Sequence, residues 1–409
     1  MDNRFYFYSN FHENQANFFN YIDNFIERYN TIPSQGNYKS YQSSLFENIN
    51  GFDFQNAQAY LGYKTSKHSL LELGHGRHFI GNGIRSLLLS DFSHNYLYLR
   101  FNISVWKINY QTIIAELSPF SSQQTIGNTV LPNKYMASHY LSFAPNKKLN
   151  IGLFETVIFS RQNQFEFQYL NPVILYRTVE GLIESPDNVL LGLNLNWYAF
   201  NKSSLYAQLL IDELRFGEIF SGDNWWGNKW GLQLGIKSFD LFGVKQLDGQ
   251  MEFNMVRPYT YSHLRTIAAF PEQSFSNYSH YNQALAHPLG ANFAEYLLRF
   301  RYRPTNKWRF ILQFLYARAG RNQGLINYGG DILLNNSSRI SDYNIDLFQG
   351  AVSDIRSIDL QSSFRLSYDL YLDLYLKIRQ DTDESLENVR TNFVGLGFRF
   401  NIETRNIDF

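Results

Sequence analysis

Hydrophobic and polar residues alternate one by one along many segments of the chain. Within residues 188–200, Leu191, Leu193 and Leu195 fall on one face, while amides and a glycine fall on the other. The same alternation recurs in six later segments, 205–212, 229–238, 294–303, 308–318, 370–378 and 392–402. Alternation at a period of two residues is typical of a strand with one apolar face. The pattern therefore predicts an all-β fold.

The lengths of the connections between these strands alternate as well. From residue 96 onward, short turns fall near 105–106, 144–147, 201–203, 239–246, 304–307 and 368–370. Long connections fall between them, at 117–134, 159–187, 215–228, 258–293, 319–355 and 380–391. Transmembrane β-barrels have short periplasmic turns and long extracellular loops. Further strands near 3–11, 57–64 and 68–74 bring the expected total to about 16, an even number that leaves both termini on the periplasmic side.

One segment has helical rather than strand-like spacing. In residues 12–30, Phe18, Tyr21, Ile22, Phe25 and Ile26 fall on one face of a helix. Because the polar face is acidic and amide-rich rather than basic, a helix lying on a membrane surface is disfavoured. We predict a short helix in a long loop or plug, packed into or over the barrel mouth.

Composition narrows the class of membrane protein. The 409 residues include 36 Phe, 29 Tyr and 6 Trp, and the mean hydropathy is −0.33. No stretch approaches the roughly 18 consecutive apolar residues of a spanning helix. Aromatic residues such as Tyr296, Tyr302, Trp308 and Tyr316 end the apolar faces, as in the interfacial girdles of membrane proteins. We therefore predict one antiparallel, transmembrane outer-membrane β-barrel over residues 1–409, surrounded by lipid and lipopolysaccharide in a Gram-negative bacterium.

Charge, cysteine content and the N-terminus add three expectations. The 36 basic and 36 acidic residues balance, whereas nucleic-acid binders usually carry a basic surplus. Cysteine is absent, so neither disulfides nor a thiolate nucleophile can form. The first residues lack the basic and apolar regions of an export signal. Because an outer-membrane protein must be exported, we expect an N-terminally truncated or processed form.

No motif in the chain predicts an enzyme. Residues 74–83 are glycine-rich, but a phosphate-binding loop needs a strand before it and a helix after it. We interpret these glycines as permitting a tight bend against the barrel wall. His75 and His78 are three residues apart, and three histidines fall in the 258–293 connection, but no carboxylate stands at metal-ligand spacing. We predict no catalytic residue, no metal and no cofactor.

Two loop segments combine aromatic rings with amides and charged groups. Aromatic faces stack on the C–H faces of sugars, while amides and carboxylates bind their hydroxyls. The alternative interpretation is that Trp225 and Trp226 are interfacial girdle residues. The predicted polysaccharide-binding residues are Asp223, Asn224, Trp225, Trp226, Tyr281, Asn282 and His287.

Charged residues occupy the predicted inner face of the late strands. They could line a selective pore or cross-link a plugged one, and the helix and the long loops favour plugging. The predicted lumen-lining residues are Arg299, Arg301, Arg303, Arg309, Arg365, Asp369, Asp373, Lys377 and Arg399.

Several blocks of the sequence resemble the RemB-type gliding-motility proteins, a group related to the Wzi capsule-assembly proteins. The resemblance rests on residues 11–16, 33–36, 67–68, 74–91, 170–174 and 286–293, and the block at 74–91 is its most specific part. It implies a surface-exposed outer-membrane barrel that acts in gliding or polysaccharide handling. The chain departs from the family at Ile84, where an aromatic residue is expected. It also lacks the family's N-terminal region, so that the 18 strands of the Wzi group would require two more.

Three functions remain open at this point. The first is a non-enzymatic surface barrel that binds or organises extracellular polysaccharide, supporting gliding motility or capsule assembly. The second is a diffusion channel or porin. The third is a structural partner of other outer-membrane gliding or secretion components. Whether the lumen is open or plugged distinguishes the first function from the second.

Overall fold

The computed structural model describes residues 4–42, 50–120, 133–161, 165–172, 187–219, 221–264, 274–324, 326–384 and 388–400. Within these ranges the chain forms 19 strands and two α-helices, α1 (Asn20–Tyr29) and α2 (Phe216–Ile219). The strands are β1 (Phe5–Ala16), β2 (Tyr38–Gln42), β3 (Asn50–Lys64), β4 (Ser69–Gly76), β5 (Tyr96–Val105), β6 (Ile108–Leu117), β7 (Asn133–Asn146), β8 (Leu149–Arg161), β9 (Asn188–Phe200), β10 (Ser203–Glu213), β11 (Lys229–Ser238), β12 (Leu247–Val256), β13 (Ser279–His280), β14 (Gln283–Ala284), β15 (Phe293–Tyr302), β16 (Trp308–Arg321), β17 (Ala351–Ser367), β18 (Leu370–Asp383) and β19 (Val389–Phe400).

Seventeen of the strands form a single antiparallel sheet. β1 pairs with β3, and each later strand pairs with the next along the chain, with β12 joined directly to β15. Without the five-residue β2, which pairs with the start of β3, 16 long strands remain, as the alternation predicted. Neither β2 nor the small β13–β14 hairpin was predicted. In the described ranges no ladder joins β1 to β19, the two ends of the sheet.

The two faces of the sheet differ as the alternation predicted. On β9, Leu191 and Leu193 are each 40% exposed, whereas Asn194, the residue that follows Leu193, is 3% exposed. The same outward apolar face is formed by Leu97 and Leu99 on β5. An apolar outer belt around a polar, filled interior is the arrangement of a barrel that faces lipid.

Because neighbouring strands are antiparallel, successive connections lie alternately at the two ends of the barrel, and the long connections share one end. The observed short turns are 65–68, 106–107, 147–148, 201–202, 239–246, 303–307 and 368–369. The connection predicted at 380–391 is shorter, at 384–388, because β18 and β19 pair as far as Asp381 and Val389.

The helix predicted over 12–30 begins only at Asn20. Residues 12–16 instead continue β1, where they pair with residues 52–56 of β3. α1 buries Tyr21, Ile22, Phe25 and Ile26, four of the five residues whose spacing predicted the helix, while Phe18 precedes the helix. Tyr21, Ile22 and Ile26 cluster with Phe54 of β3, Phe25 packs against Phe92, and Phe19 packs against Phe393 of β19. α1 therefore lies at the long-connection end, near both ends of the sheet.

The interior is filled by the connection 77–95 between β4 and β5. Leu87, Leu88 and Leu89 are fully buried in the main core cluster, which includes inward residues of most strands. A Cβ at Gly83 would come within 2.5 Å of Glu252 Oε2, so this glycine permits the close approach to the wall that the sequence predicted.

None of the helices in the described ranges combines the length and apolar character needed to cross a membrane.

Candidate functional site

A cavity of about 870 Å³ opens at the long-connection end of the barrel. Its walls are the polar face of α1, the segment 282–290, the segment 321–333 and the adjoining ends of β17 and β18. Rings, amides and charged groups all contribute, and the main contributors are Tyr21, Asp23, Asn24, Phe25, Glu27, Arg28, Tyr29, Phe92, Asn282, Gln283, Arg321, Asn322, Asp331, Arg379 and Asp381.

The amphipathic character of α1 places its polar side chains in this cavity. Because Tyr21, Ile22, Phe25 and Ile26 are anchored in the interior, Asp23 and the residues on its side of the helix turn outward. The helix ends at Asn30, whose left-handed backbone (φ 51°) lets its N–H donate to Ile26 O at 2.8 Å. The Arg379 guanidinium lies 3.9 Å from the centre of the Tyr21 ring and fixes the first turn of the helix.

Several charges around the cavity are paired, but one buried carboxylate oxygen is not. Arg28 forms an ion pair with Asp331 at 3.1 Å, and Arg379 forms one with Asp381 at 2.9 Å. Asp23 Oδ1 is buried and accepts no hydrogen bond from any described residue. Burial, together with the nearby charge of Glu27, raises the pKa of the Asp23 carboxyl. Asp23 as a whole is partly exposed and lines the cavity, so its carboxylate group is a candidate acceptor for a hydroxyl donor.

The predicted residues Asp223, Asn224, Trp225 and Trp226 lie in another loop, outside this cavity. Asn224 Nδ2 donates to Asp346 Oδ1 at 2.7 Å, and the Trp226 N–H donates to Asp342 O at 2.9 Å. This loop is therefore pinned to the connection between β16 and β17.

Guanidinium groups cover both tryptophan rings of that loop. Arg215 lies 4.5 Å from the centre of the Trp225 ring, and Arg339 lies 4.1 Å from that of Trp226. Trp225 is only 9% exposed. A sugar could stack on the guanidinium-covered face of either ring only after displacing the arginine.

The other predicted binding residues, Tyr281, Asn282 and His287, lie at different depths below the surface. Asn282 lines the cavity, where its Nδ2 donates to Tyr29 O at 2.9 Å. The ring of Tyr281 packs against His94 with centroids 5.2 Å apart. His287 is fully buried, with Nε2 2.8 Å from Glu295 Oε2, and burial lowers the pKa of its imidazole despite that carboxylate.

Sequence reasoning missed the contribution of α1 and of segment 321–333 to the cavity. The acidic and amide-rich face of the predicted helix was a signal for the first. Nothing in the sequence indicates that segment 321–333 meets it.

A polar network inside the barrel holds the connection 77–95 in place. The Glu252 carboxylate accepts hydrogen bonds from the backbone N–H groups of Ile84 (2.6 Å) and Arg85 (3.0 Å), and from the Tyr206 hydroxyl (2.7 Å). The Arg85 side chain in turn donates to Glu295 at 3.3 Å. Charge-assisted bonds to a buried carboxylate are among the stronger ones in proteins.

The predicted lumen-lining residues divide into paired and exposed groups. Arg399 donates to Asp373 at 2.7 Å, Lys377 pairs with Asp359, and Arg299 donates to Gln313 at 2.7 Å. Of the others, Arg301 and Arg309 are exposed near the short turns, Arg365 is half-buried there, and Arg303 and Asp369 lie within turns rather than strands.

No group of three or more histidine and carboxylate side chains in the described ranges is arranged to hold a metal ion.

Comparison with known proteins assigns the chain to a protein family. The family model of the capsule assembly protein Wzi matches residues 8–393. The chain belongs to this family. The solved structure of Wzi from Escherichia coli is similar, with 12% identity and a TM-score of 0.58. The match covers 98% of this chain and 85% of that one. That protein is described as a carbohydrate-binding β-barrel of the outer membrane involved in group 1 capsule assembly.

Two porin-type structures are more distant. OccAB2 of Acinetobacter baumannii has 8% identity and a TM-score of 0.46, with 98% and 88% of the two chains covered. OprD of Pseudomonas aeruginosa has 11% identity and a TM-score of 0.44, with 86% and 81% covered. Comparison with curated proteins found no match.

The family and the fold together confirm the predicted architecture and location. This member of the Wzi family is an antiparallel β-barrel of the Gram-negative outer membrane. Its closer likeness to RemB-type gliding proteins stays a prediction.

Proposed function

We propose that the protein is a non-enzymatic surface barrel that binds extracellular polysaccharide in the cavity beside α1 and so supports capsule assembly. The cavity carries the proposal, because it joins an unpaired carboxylate, several amides and four aromatic rings at the end of the barrel that faces outward. Membership in the Wzi family supports the same function.

The chemistry of the cavity suits a hydroxyl-rich ligand. Asp23 and Asn24 supply an acceptor and an amide, while the partly exposed Tyr29 supplies an aromatic ring. A handful of such contacts gives millimolar-to-micromolar affinity per site. Firm attachment then comes from one polysaccharide chain engaging many barrels at the cell surface.

The filled interior favours this function over a diffusion channel. Leu87, Leu88 and Leu89 occupy the barrel core without exposure, and the Glu252 carboxylate anchors the backbone of the same connection. A solute would have to displace this connection in order to pass. The porin alternative is therefore the weaker one.

A role in gliding motility is the second candidate. The block at 74–91, which forms the interior connection, carries the resemblance to gliding proteins. In that role, bound polysaccharide would link the cell to its surroundings, and other outer-membrane gliding or secretion components would be partners. Loss of surface movement with intact capsule in a deletion strain would favour gliding over capsule assembly.

The binding site is tested by two double variants in the same strain. Asp23→Ala with Asn24→Ala removes two side chains of the polar face of α1 while leaving its buried face intact, and should reduce polysaccharide retention on cells. Trp225→Ala with Trp226→Ala removes the other proposed location. Loss of retention only in the tryptophan variant would move the site to that loop, and full retention in both would overturn the proposal.

A further inference from the structure

The short-turn end of the barrel carries an unusual concentration of positive charge. The seven short turns contain eight Lys or Arg residues and two Asp, although the whole chain has 36 residues of each sign. Within the described ranges, the eight connections between the long strands at the other end contain 11 acidic and seven basic residues. Charge is thus segregated along the barrel axis.

The lysines of the short turns are exposed, and most are unpaired. Lys202 forms an ion pair with Asp240 at 2.8 Å. The others have no carboxylate within ion-pair distance in the described ranges: Lys67, Lys107, Lys147, Lys148, Lys245 and Lys307. Six of the seven turns contribute a lysine, so the charges follow most of the rim instead of forming one patch, and the turn between β17 and β18 carries Asp369 instead.

Aromatic side chains accompany these lysines. Trp106, Phe242 and Tyr368 are 78%, 88% and 85% exposed, and each lies in a short turn. Trp106 and Phe242 both have φ of 55°, a conformation that is unfavourable for a bulky residue. The Lys107 ammonium lies 5.2 Å from the centre of the Trp106 ring. Aromatic rings settle at the headgroup level of a membrane, and long basic side chains extend toward the same level.

We propose that this basic rim, formed by the lysines of the short turns, binds the headgroups of anionic phospholipids in the periplasmic leaflet of the outer membrane. The distribution along most of the rim fits a ligand that surrounds the barrel, whereas a protein partner would dock on one side. Anionic headgroups attract basic residues beside a membrane-spanning segment. The exposed aromatic side chains of the same turns, Trp106, Phe242 and Tyr368, hold the lysines at the depth where those headgroups lie.

The test measures lipid selectivity of the purified full chain. The barrel is equilibrated in detergent with equal amounts of phosphatidylglycerol and phosphatidylethanolamine, and the bound lipids are counted by native mass spectrometry. Wild-type protein should retain phosphatidylglycerol preferentially. Lys67→Gln, Lys147→Gln, Lys148→Gln and Lys307→Gln combined should reduce that preference by about fivefold or more, since each lysine near an anionic surface contributes. The matched Lys→Arg variant at the same four positions should keep it.

The result stays decisive if the glutamine variant fails to fold, which heat-modifiable gel mobility would reveal. In that case, raising the salt concentration should weaken the wild-type preference, because exposed charges are screened. Equal retention of the two lipids by wild-type protein, or an unchanged preference in a folded glutamine variant, would overturn the proposal. So would lysine-dependent binding of anionic cell-wall fragments in place of lipid.

Discussion

At the scale of single residues, Asp23 connects stability with the proposed function. Its carboxyl has a raised pKa because burial and Glu27 disfavour the charged form. A raised pKa means that this group is less favourable to the folded state at neutral pH than at acid pH. At pH 7, Asp23→Asn should therefore leave the unfolding temperature of the barrel unchanged or slightly higher. That temperature is the midpoint of the shift in gel mobility on heating.

The same substitution should weaken polysaccharide binding by about tenfold, as expected for the loss of one charged hydrogen-bond acceptor. Asp342→Asn, an exposed carboxylate outside the cavity, is the matched control. Unchanged binding by the Asp23 variant, measured by glycan pull-down, would remove Asp23 from the site.

Neighbouring residues on β17 test the assignment of faces. Leu360 lies on the lipid side, whereas Gln361 lies inward, within hydrogen-bonding reach of the Tyr375 hydroxyl and close to the carboxylate of Asp373. Leu360→Arg places a charge near the bilayer midplane and should destabilise the barrel by about 2–4 kcal/mol. Gln361→Arg should be tolerated. Urea unfolding in vesicles compares the two, and equal stability would contradict the assigned faces.

At the scale of elements, buried histidines join the interior connection to the segment 274–285. The rings of His94 and His280 stack with centroids 6.1 Å apart. Burial, then the charges of His75 and Arg77, lowers the pKa of His94 to about 4, and burial lowers that of His280 to about 3. Both are therefore neutral in the folded state over the ordinary pH range.

Acid should loosen this contact before the barrel itself unfolds. Because the folded pKa values lie below the ordinary value near 6.5, the unfolded segment binds more protons between about pH 6.5 and 4. Local stability is thus lost as pH falls through that window, by at most about 1.4 kcal/mol per histidine and pH unit. The protection factors of peptides from 85–95, which correct for the slower intrinsic exchange in acid, should fall at pH 4.5. If the His94→Gln, His280→Gln protein shows the same fall, other groups are responsible.

The strands were predictable from sequence, and the interior connection was not. β9 and β11 have the predicted bounds, because lipid on one side and polar groups on the other impose alternation on every residue. Leu87, Leu88 and Leu89 break that alternation and look like strand or loop in isolation. Their burial depends on walls contributed by strands far along the chain, which local pattern cannot show.

The same limit applies to the binding residues. Asn282 was predicted and lines the cavity, whereas Trp225 and Trp226 share its favourable chemistry but lie under arginines. Residue type predicts which ligands a side chain can bind, but not which neighbouring side chains already contact it.

At the scale of the whole molecule, the interior connection should keep the barrel closed. Ile80 and Leu89 pair as an isolated bridge, so residues 81–88 can be replaced by two glycines without displacing the flanking chain. In planar bilayers the intact protein should conduct poorly, and the shortened protein should show steady conductance. A large steady conductance in the intact protein would favour the porin function instead.

The most direct test of polysaccharide binding at the cavity is photo-crosslinking on living cells. A photoreactive residue at Asn24 lies in the cavity wall, whereas the same residue at Lys245 lies in a short turn at the opposite end. Irradiation should produce a high-mass polysaccharide adduct from position 24 and none from position 245. Absence of an adduct at position 24, with both proteins assembled in the outer membrane, would contradict the proposed function.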